Sequence, residues 1–287
     1  MEFVKTKHYN FLKKFFENKV HINLFVYGPK GTGKTQTIEA IHRDMDKPYF
    51  RVNISIETDE DSLIGGFRLI NGDTVFDKGP VIKAMESGAT LLLDEIDMGH
   101  PQRLMCLQSI LEGSGYLIKR TNEFVRAKEG FKIIATANTK GYGDESGQYV
   151  GAQILNGAFK DRFSAFYEIN YPSEEDEVEI LQQINDHYKE NYFPDATGDN
   201  VVSQQTIKNL VTWAHKVRNT HTNIDDESIS IRKLIDIIKT NFFIGDLKES
   251  ISLCLGGYPT DSKEGFIETF DIIIGDKEPE VSYKVWS

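Results

Sequence analysis

Cysteine is scarce in this chain, and long apolar runs are absent. The 287 residues include only Cys106 and Cys254, which lie too far apart in sequence to form the disulfide framework of a small secreted protein. No uncharged apolar run approaches the roughly 18 residues that a membrane span requires. Residues 1–14 lack the apolar core of a signal peptide. These absences predict a protein of a reducing, cytoplasmic setting with no membrane span.

Basic residues and metal-binding patterns are also few. Lys and Arg number 33 against 44 Asp and Glu, a net charge of −11 at pH 7. This balance disfavours non-specific nucleic-acid binding as the main role. The seven histidines show no His-x-x-x-His spacing, and neither cysteine has a neighbouring ligand, so no zinc site is predicted.

Short apolar segments alternate with longer amphipathic segments as far as Tyr171. The short segments are rich in apolar or β-branched residues and are mostly bounded by Gly, Asp or Pro, which predicts strands. The alternation predicts an α/β architecture with a parallel sheet covered by helices on both faces. The predicted strands are residues 23–27, 49–54, 90–93, 131–136 and 165–169, and the predicted helices are 34–45, 81–86, 101–111 and 174–184.

The pattern changes after Tyr171 and Pro172. Ser173 is a good helix N-cap, and the acidic residues 174–177 are predicted to form a solvated first turn. Further helical patterns follow at 205–217 and 231–243. We therefore predict an α/β domain over residues 1–172 and a smaller, mostly helical lid domain over residues 173–287.

A glycine-rich loop follows the first predicted strand and precedes a predicted helix. It matches the pattern G-x-x-x-x-G-K-[ST], in which backbone N–H groups and a helix N-terminus surround phosphate oxygens. Lys34 is placed to reach the β- and γ-phosphates of ATP, and the Thr35 hydroxyl to ligate Mg²⁺. The predicted ATP-binding residues of this segment are Gly28, Pro29, Lys30, Gly31, Thr32, Gly33, Lys34, Thr35 and Gln36.

Two other strand ends carry polar groups. Asp94 and Glu95 follow the apolar run Leu91–Leu93, and an apolar strand should place both carboxylates at the sheet edge that holds the phosphate loop. Asp94 is predicted to complete the Mg²⁺ site, and Glu95 to act as the general base. Asn138, after another strand, could orient the water, although Asn also favours ordinary turns. Asp97 is assigned to local turn chemistry.

These strand ends, in this order, resemble Walker A, Walker B and sensor 1 of AAA+ ATPases. Finer features lie in residues 94–101, 107–112, 135–144, 147–153 and 160–163. These segments resemble the MoxR branch, and most closely the small ATPase subunit of aerobic cobaltochelatase. The resemblance is clearest over residues 22–180.

The resemblance implies a hexameric ring that binds ATP between neighbouring subunits and acts on a protein client or partner subunit. Arg162 matches the arginine finger that reaches the next subunit's site; the alternative is a surface Arg paired with Asp161 or Glu168. Arg232, at the start of a predicted helix, resembles sensor 2 and joins the predicted ATP-binding residues. In related enzymes the metal and porphyrin bind a different subunit.

Two predicted hairpins look like inserts of this branch. One, over residues 63–79, contains Asn71-Gly72 between alternating apolar residues and would interrupt the second helix. The other spans residues 116–126. In related rings such hairpins face the pore and touch the client, which makes Phe67 and Tyr116 candidate contacts. Ordinary edge hairpins remain the alternative.

Two other functions stay open at the level of sequence. A nucleic-acid motor would require a basic stripe on the hairpins, for which the available cations are Arg68, Lys78, Lys119, Arg120 and Arg126. A non-hydrolysing nucleotide-dependent scaffold is the third possibility, which the presence of Glu95 and Arg162 disfavours.

Overall fold

The computed structural model describes residues 3–20, 22–143, 151–220 and 228–275. Asp144 and residues 147–150, part of the stretch that carries the family resemblance, lie outside the described residues. The chain divides into two compact units between Tyr171 and Pro172. One unit is Lys5–Tyr171, and the other contains the described residues 172–275 together with residues 3–4.

A five-stranded parallel sheet forms the centre of the first unit. The strands are β1 (Leu24–Tyr27), β2 (Tyr49–Asn53), β5 (Thr90–Asp94), β8 (Lys132–Ala137) and β9 (Ala165–Glu168). Their order in the sheet is β2–β5–β8–β1–β9, and neighbouring strands are all parallel. The α/β prediction is therefore confirmed.

Helices flank this sheet because the central strands are apolar on both faces and must be covered. Every residue of β5 and of β8 is buried. The helices of this unit are α1 (Lys7–Glu17), α2 (Lys34–Asp44), α3 (Glu60–Leu63), α4 (Pro80–Ser87), α5 (Pro101–Leu104), α6 (Gln108–Leu111) and α7 (Gly157–Lys160).

Both predicted hairpins are present. The first consists of β3 (Gly65–Ile70) and β4 (Asp73–Lys78) and lies between α3 and α4. Its turn places Asn71 and Gly72 at φ +54° and +92°, as a tight hairpin turn requires. The second consists of β6 (Tyr116–Ile118) and β7 (Glu123–Val125), ahead of β8.

The prediction of a single helix over residues 101–111 is wrong. Helices α5 and α6 are separated by a 3₁₀ turn, Met105–Leu107. The buried residues Leu104, Leu107, Ile110 and Leu111 fit the period of a 3₁₀ helix as well as that of an α-helix.

The second unit is helical around a separate apolar core. Trp213 is fully buried in this core and donates from Nε1 to the Phe266 carbonyl at 2.8 Å. The described helices are α8 (Glu174–Asn191), α9 (Gln204–Thr220), α10 (Ile231–Ile244), α11 (Leu247–Cys254) and α12 (Thr260–Ile274).

The prediction of a wholly solvated first turn in α8 is wrong at Glu177. Its side chain is fully buried, and Arg218 donates to it at 2.7 Å while His215 lies 3.1 Å away. Ser173 caps the helix as expected, accepting from the Asp176 N–H. The acidic run therefore combines a favourable helix start with one buried ion pair, because a fully buried carboxylate requires a charged partner.

Candidate active site

The loop between β1 and α2 approaches another backbone too closely for any side chain at Gly28. Gly28 adopts φ +146°, and a Cβ atom built there would lie 2.0 Å from the Ile169 carbonyl oxygen. Gly33, the N-cap of α2, adopts φ +81°, a conformation that glycine tolerates best. The loop is therefore held against the chain just after β9, with its backbone turned at the start of a helix.

Lys34 joins this loop to the end of β8. Its Nζ donates to the Gly28 carbonyl at 2.7 Å, to the Pro29 carbonyl at 2.9 Å and to Asn138 Oδ1 at 3.0 Å. Lys34 and Asn138 are 104 positions apart in sequence. The parallel order β8–β1 brings them together, because both strands present their carboxyl ends at the same edge.

Thr35 joins the loop to the end of β5. Its Oγ1 donates to Asp94 Oδ1 at 2.8 Å, and Thr136 Oγ1 donates to the same carboxylate oxygen. Asp94 is 3% exposed. The predicted meeting of the Asp94 carboxylate with the phosphate loop is therefore present in the structure.

Glu95 has an unusual backbone conformation for its residue type. It adopts φ +57° and ψ +44°, a left-handed conformation that is uncommon outside glycine. Its N–H donates to Thr136 Oγ1 at 3.2 Å. The residue is exposed, whereas the preceding Asp94 is buried, so one strand end supplies a buried and an accessible carboxylate.

Two residues of the site escaped the sequence interpretation. Arg51 on β2 donates to Asp94 Oδ2 from Nε at 3.0 Å and from Nη2 at 2.5 Å. Asp97 Oδ2 accepts from the N–H of Asn138 at 3.0 Å and from the N–H and hydroxyl of Thr139 at 2.9 and 3.0 Å. Asp97 is 1% exposed; its carboxylate anchors the loop after β8 and not, as predicted, its own turn.

A signal for Arg51 existed in the sequence. A charged residue inside a short strand of a parallel sheet is exceptional, because such strands are usually apolar throughout. Asp97 carried no comparable signal, since Asp is common in the turn that follows a strand.

Arg162 has contacts outside this hydrogen-bonded group. The Arg162 guanidinium pairs with Glu112 and donates to the Ala158 carbonyl. The predicted alternative partners Asp161 and Glu168 are not its partners in these contacts. Arg232 is exposed in the first turn of α10, in the second unit.

The donor set fits a nucleotide with its magnesium ion. Mg²⁺ prefers oxygen ligands and is commonly held by one or two protein groups plus substrate phosphates. The described residues contain no group of three or more His, Cys, Asp or Glu side chains that could hold a metal ion. Thr35 and Asp94 supply two oxygens 2.8 Å apart, beside a glycine loop suited to anions.

Comparisons with known proteins agree with this fold. Residues 23–163 match the family model described as AAA domain (dynein-related subfamily). An uncharacterized protein of Staphylococcus saprophyticus is 32% identical over 225 residues, which are 75% of this chain and 76% of the relative. Uncharacterized proteins of Staphylococcus epidermidis and Staphylococcus aureus are 33% and 31% identical over 224 residues, with the same two shares.

A solved structure from Cytophaga hutchinsonii, described only as a candidate ATPase, shares the fold. Its TM-score is 0.52 at 18% identity. The match covers 75% of this chain, but this chain spans only 60% of the length of the solved chain. At this identity the likeness concerns the fold alone.

The fold, the site and the family match together indicate a phosphate-loop protein with an AAA domain. The chain belongs to the same family as the staphylococcal proteins, and its residues 23–163 match the model of an AAA domain of the dynein-related subfamily. These relatives are uncharacterized, so the resemblance to the MoxR branch stays a prediction. Among the described residues, no helix is both long and apolar enough to cross a membrane.

Proposed function

We propose that this protein is a magnesium-dependent ATPase of the MoxR type, which forms a ring and uses ATP hydrolysis to remodel a partner protein. One observation carries the proposal. Lys34 bonds Asn138, and Thr35 bonds Asp94, so residues from three predicted motifs converge at one edge of the sheet. A glycine-rich turn without a nucleotide role would not require this convergence.

Each residue has a role that follows from its position. Lys34 and the loop backbone bind phosphate, while Thr35 and Asp94 hold the magnesium ion. Bound magnesium would neutralise charge on the phosphates. Glu95 is the general base, because its exposed carboxylate can accept a proton from water while Asp94 is buried. Asn138 orients that water from the end of the neighbouring parallel strand β8.

Assembly enters through Arg162. In the proposed ring, which the family resemblance predicts to be hexameric, Arg162 of one subunit completes the site of the next. Its side chain retains 20% exposure and is paired with a half-exposed carboxylate, Glu112. Surface ion pairs of this kind are weak, so Arg162 can exchange Glu112 for a phosphate. Arg232 is proposed to contact the nucleotide as sensor 2.

A protein client is favoured over nucleic acid because three of the five hairpin cations are already paired. Arg68 contacts Asp77, Lys78 contacts Glu86 and Glu123, and Arg120 contacts Asp61. The exposed large hydrophobic side chains on the hairpins are Phe67, Leu69, Ile70, Val75, Leu117 and Phe124. Exposed apolar side chains with most of the nearby positive charge paired suit a protein surface better than a phosphate backbone. A role beside a metal chelatase is the specific form that the resemblance implies.

The test is turnover of Mg-ATP measured together with particle mass. Glu95→Gln is expected to lower turnover by about 10²-fold or more while nucleotide binding persists. Glu129→Gln, an exposed Glu outside the site, is the matched control and should turn over ATP like the parent. A protein that stays monomeric and never hydrolyses ATP contradicts the proposal, whereas unchanged turnover in Glu95→Gln indicates a scaffold. DNA-stimulated turnover that weakens with salt would favour the nucleic-acid motor.

A further inference from the structure

Arg51 is a charged residue in the interior of a strand, whereas the other charged residues of the sheet lie at strand ends. It lies on β2, the edge strand beside β5, where it is in register with Leu92. Asp94 lies two residues further along β5 and therefore on the same face as Leu92. The guanidinium reaches along the sheet to Asp94, 43 positions away in sequence.

The contacts of Arg51 complete the hydrogen bonding of the Asp94 carboxylate. Arg51 donates to Oδ2 through both Nε and Nη2, and Thr35 and Thr136 donate to Oδ1. The Asp94 side chain is 5% exposed, and that of Arg51 is 45% exposed. Four donors therefore determine the orientation of a buried carboxylate, and Arg51 supplies the positive charge among them.

Glu39 on α2 shares the same guanidinium. It accepts from Arg51 Nη1 at 3.0 Å, so Arg51 lies between two carboxylates. An arginine guanidinium is always charged in proteins. Arg51 is therefore a permanent cation at this carboxylate.

The positive charge of Arg51 at Asp94 affects how strongly this carboxylate attracts Mg²⁺. A carboxylate paired with a guanidinium attracts a divalent ion less strongly than an unpaired carboxylate, and like charges a few ångströms apart repel where solvent is excluded. Without Arg51, the buried charge of Asp94 would depend on the metal ion alone for neutralisation.

We propose that Arg51 is a positioning residue that stands in for the metal ion at Asp94 and thereby weakens the intrinsic affinity of the site for Mg²⁺. The inference rests on the proposed function, in that Asp94 belongs to the magnesium site. Stable metal binding then requires the phosphates of the nucleotide as well as the protein. Release of the phosphates releases the metal, and Arg51 keeps the carboxylate in place.

The experiment measures the magnesium concentration that half-saturates binding of a fluorescent ADP analogue to the full chain. Arg51→Gln is expected to lower this concentration about fivefold, because the competing charge is lost. Arg51→Lys keeps the charge and is expected to stay within about twofold of the parent. Arg68→Gln, which removes an exposed Arg that pairs with Asp77 on the hairpin, is the matched control and should change nothing.

A second variant removes a negative charge instead of a positive one, and it tests the inference even if Arg51→Gln does not fold. Glu39→Gln removes the acid that shares the guanidinium and is expected to raise the half-saturating magnesium concentration about twofold. An unchanged or raised concentration in Arg51→Gln overturns the inference, as does an unchanged or lowered one in Glu39→Gln. If the parent binds the analogue without any dependence on magnesium, the proposed function fails instead.

Discussion

The buried carboxylate of Asp97 positions the start of the loop that contains Asn138. One of its oxygens accepts three hydrogen bonds from Asn138 and Thr139, directly after β8. The Asn138 amide in turn accepts from Lys34. The turn after β5 therefore determines where the proposed water-orienting amide lies, and Asp97 acts on the site only through that neighbour.

Substitution of Asp97 by alanine is expected to lower both stability and turnover. Loss of several charge-assisted hydrogen bonds to a buried carboxylate should reduce the free energy of unfolding in urea by about 3 kcal/mol. Turnover should fall about tenfold or more because Asn138 loses its anchor. Asp61→Ala, which removes an exposed pair with Arg120, is the control and should cost less than about 1 kcal/mol.

A double-mutant cycle separates positioning from a general loss of stability. If Asp97 acts through Asn138, Asp97→Ala should reduce turnover little further when Asn138 is already alanine. Multiplying losses in the double variant would contradict this role.

At the scale of elements, the phosphate loop depends on the path of the chain after β9. Gly28 faces the Ile169 carbonyl, and the Ile169 N–H donates to the Tyr27 carbonyl at 2.8 Å. The Tyr171 hydroxyl donates to the Lys30 carbonyl at 3.1 Å. The loop is therefore supported by the segment that follows an edge strand, and its shape follows from the pairing of β1 with β9.

Gly28→Ala is expected to disrupt this support. The added Cβ would lie 2.0 Å from a backbone oxygen and requires φ +146°, so either the loop or the chain after β9 must move. We expect nucleotide affinity to fall about tenfold or more, and Tm by several degrees, roughly as for other backbone clashes. Equilibrium binding of a fluorescent nucleotide and thermal unfolding measure the two effects.

Gly157→Ala is the matched control for that substitution. Gly157 begins α7, and a Cβ there meets nothing within 4 Å. It should leave binding unchanged and stability equal or slightly higher, because alanine favours helix. Equal behaviour of the two variants would show that the close approach at Gly28 is unimportant.

At the scale of the whole molecule, the proposed activity depends on assembly. Each proposed site combines Glu95 of one subunit with Arg162 of the neighbouring subunit. Glu95→Gln and Arg162→Ala should each be inactive alone. Mixed in equal amounts, they should recover turnover at about a quarter of the sites, where an intact Glu95 faces a neighbour's intact Arg162. Recovery should rise with total protein concentration, as measured by phosphate release.

Absence of recovery at concentrations where the mixed particles have the mass of the parent ring would contradict a finger acting between subunits. Arg103→Ala is a suitable control partner in the mixture, since Arg103 donates to the Ile56 carbonyl and is exposed. Arg103→Ala mixed with Glu95→Gln should simply show the average turnover of its components.

Local sequence predicted the elements that surround the site with small errors at their ends. The phosphate-loop motif placed Lys34 and Thr35 at a helix start, and α2 begins at Lys34. The apolar run before Asp94 predicted a buried strand, which β5 is. These features depend on residues within one turn or one strand, where spacing and residue type act directly. The segment 101–111 was mispredicted because its buried row admits two helical periods.

The sequence by itself determined an α/β chain with a phosphate loop and polar groups at several strand ends, because these follow from short-range patterns. The tertiary structure alone decided that Arg51 pairs with Asp94 and that Asp97 holds Asn138, contacts separated by 43 and 41 residues. It also decided that Glu177 is buried. Strand order and helix packing bring such distant residues together. Hydrophobic periodicity specifies which face of an element is buried, but it does not specify which distant side chain will pack against that face.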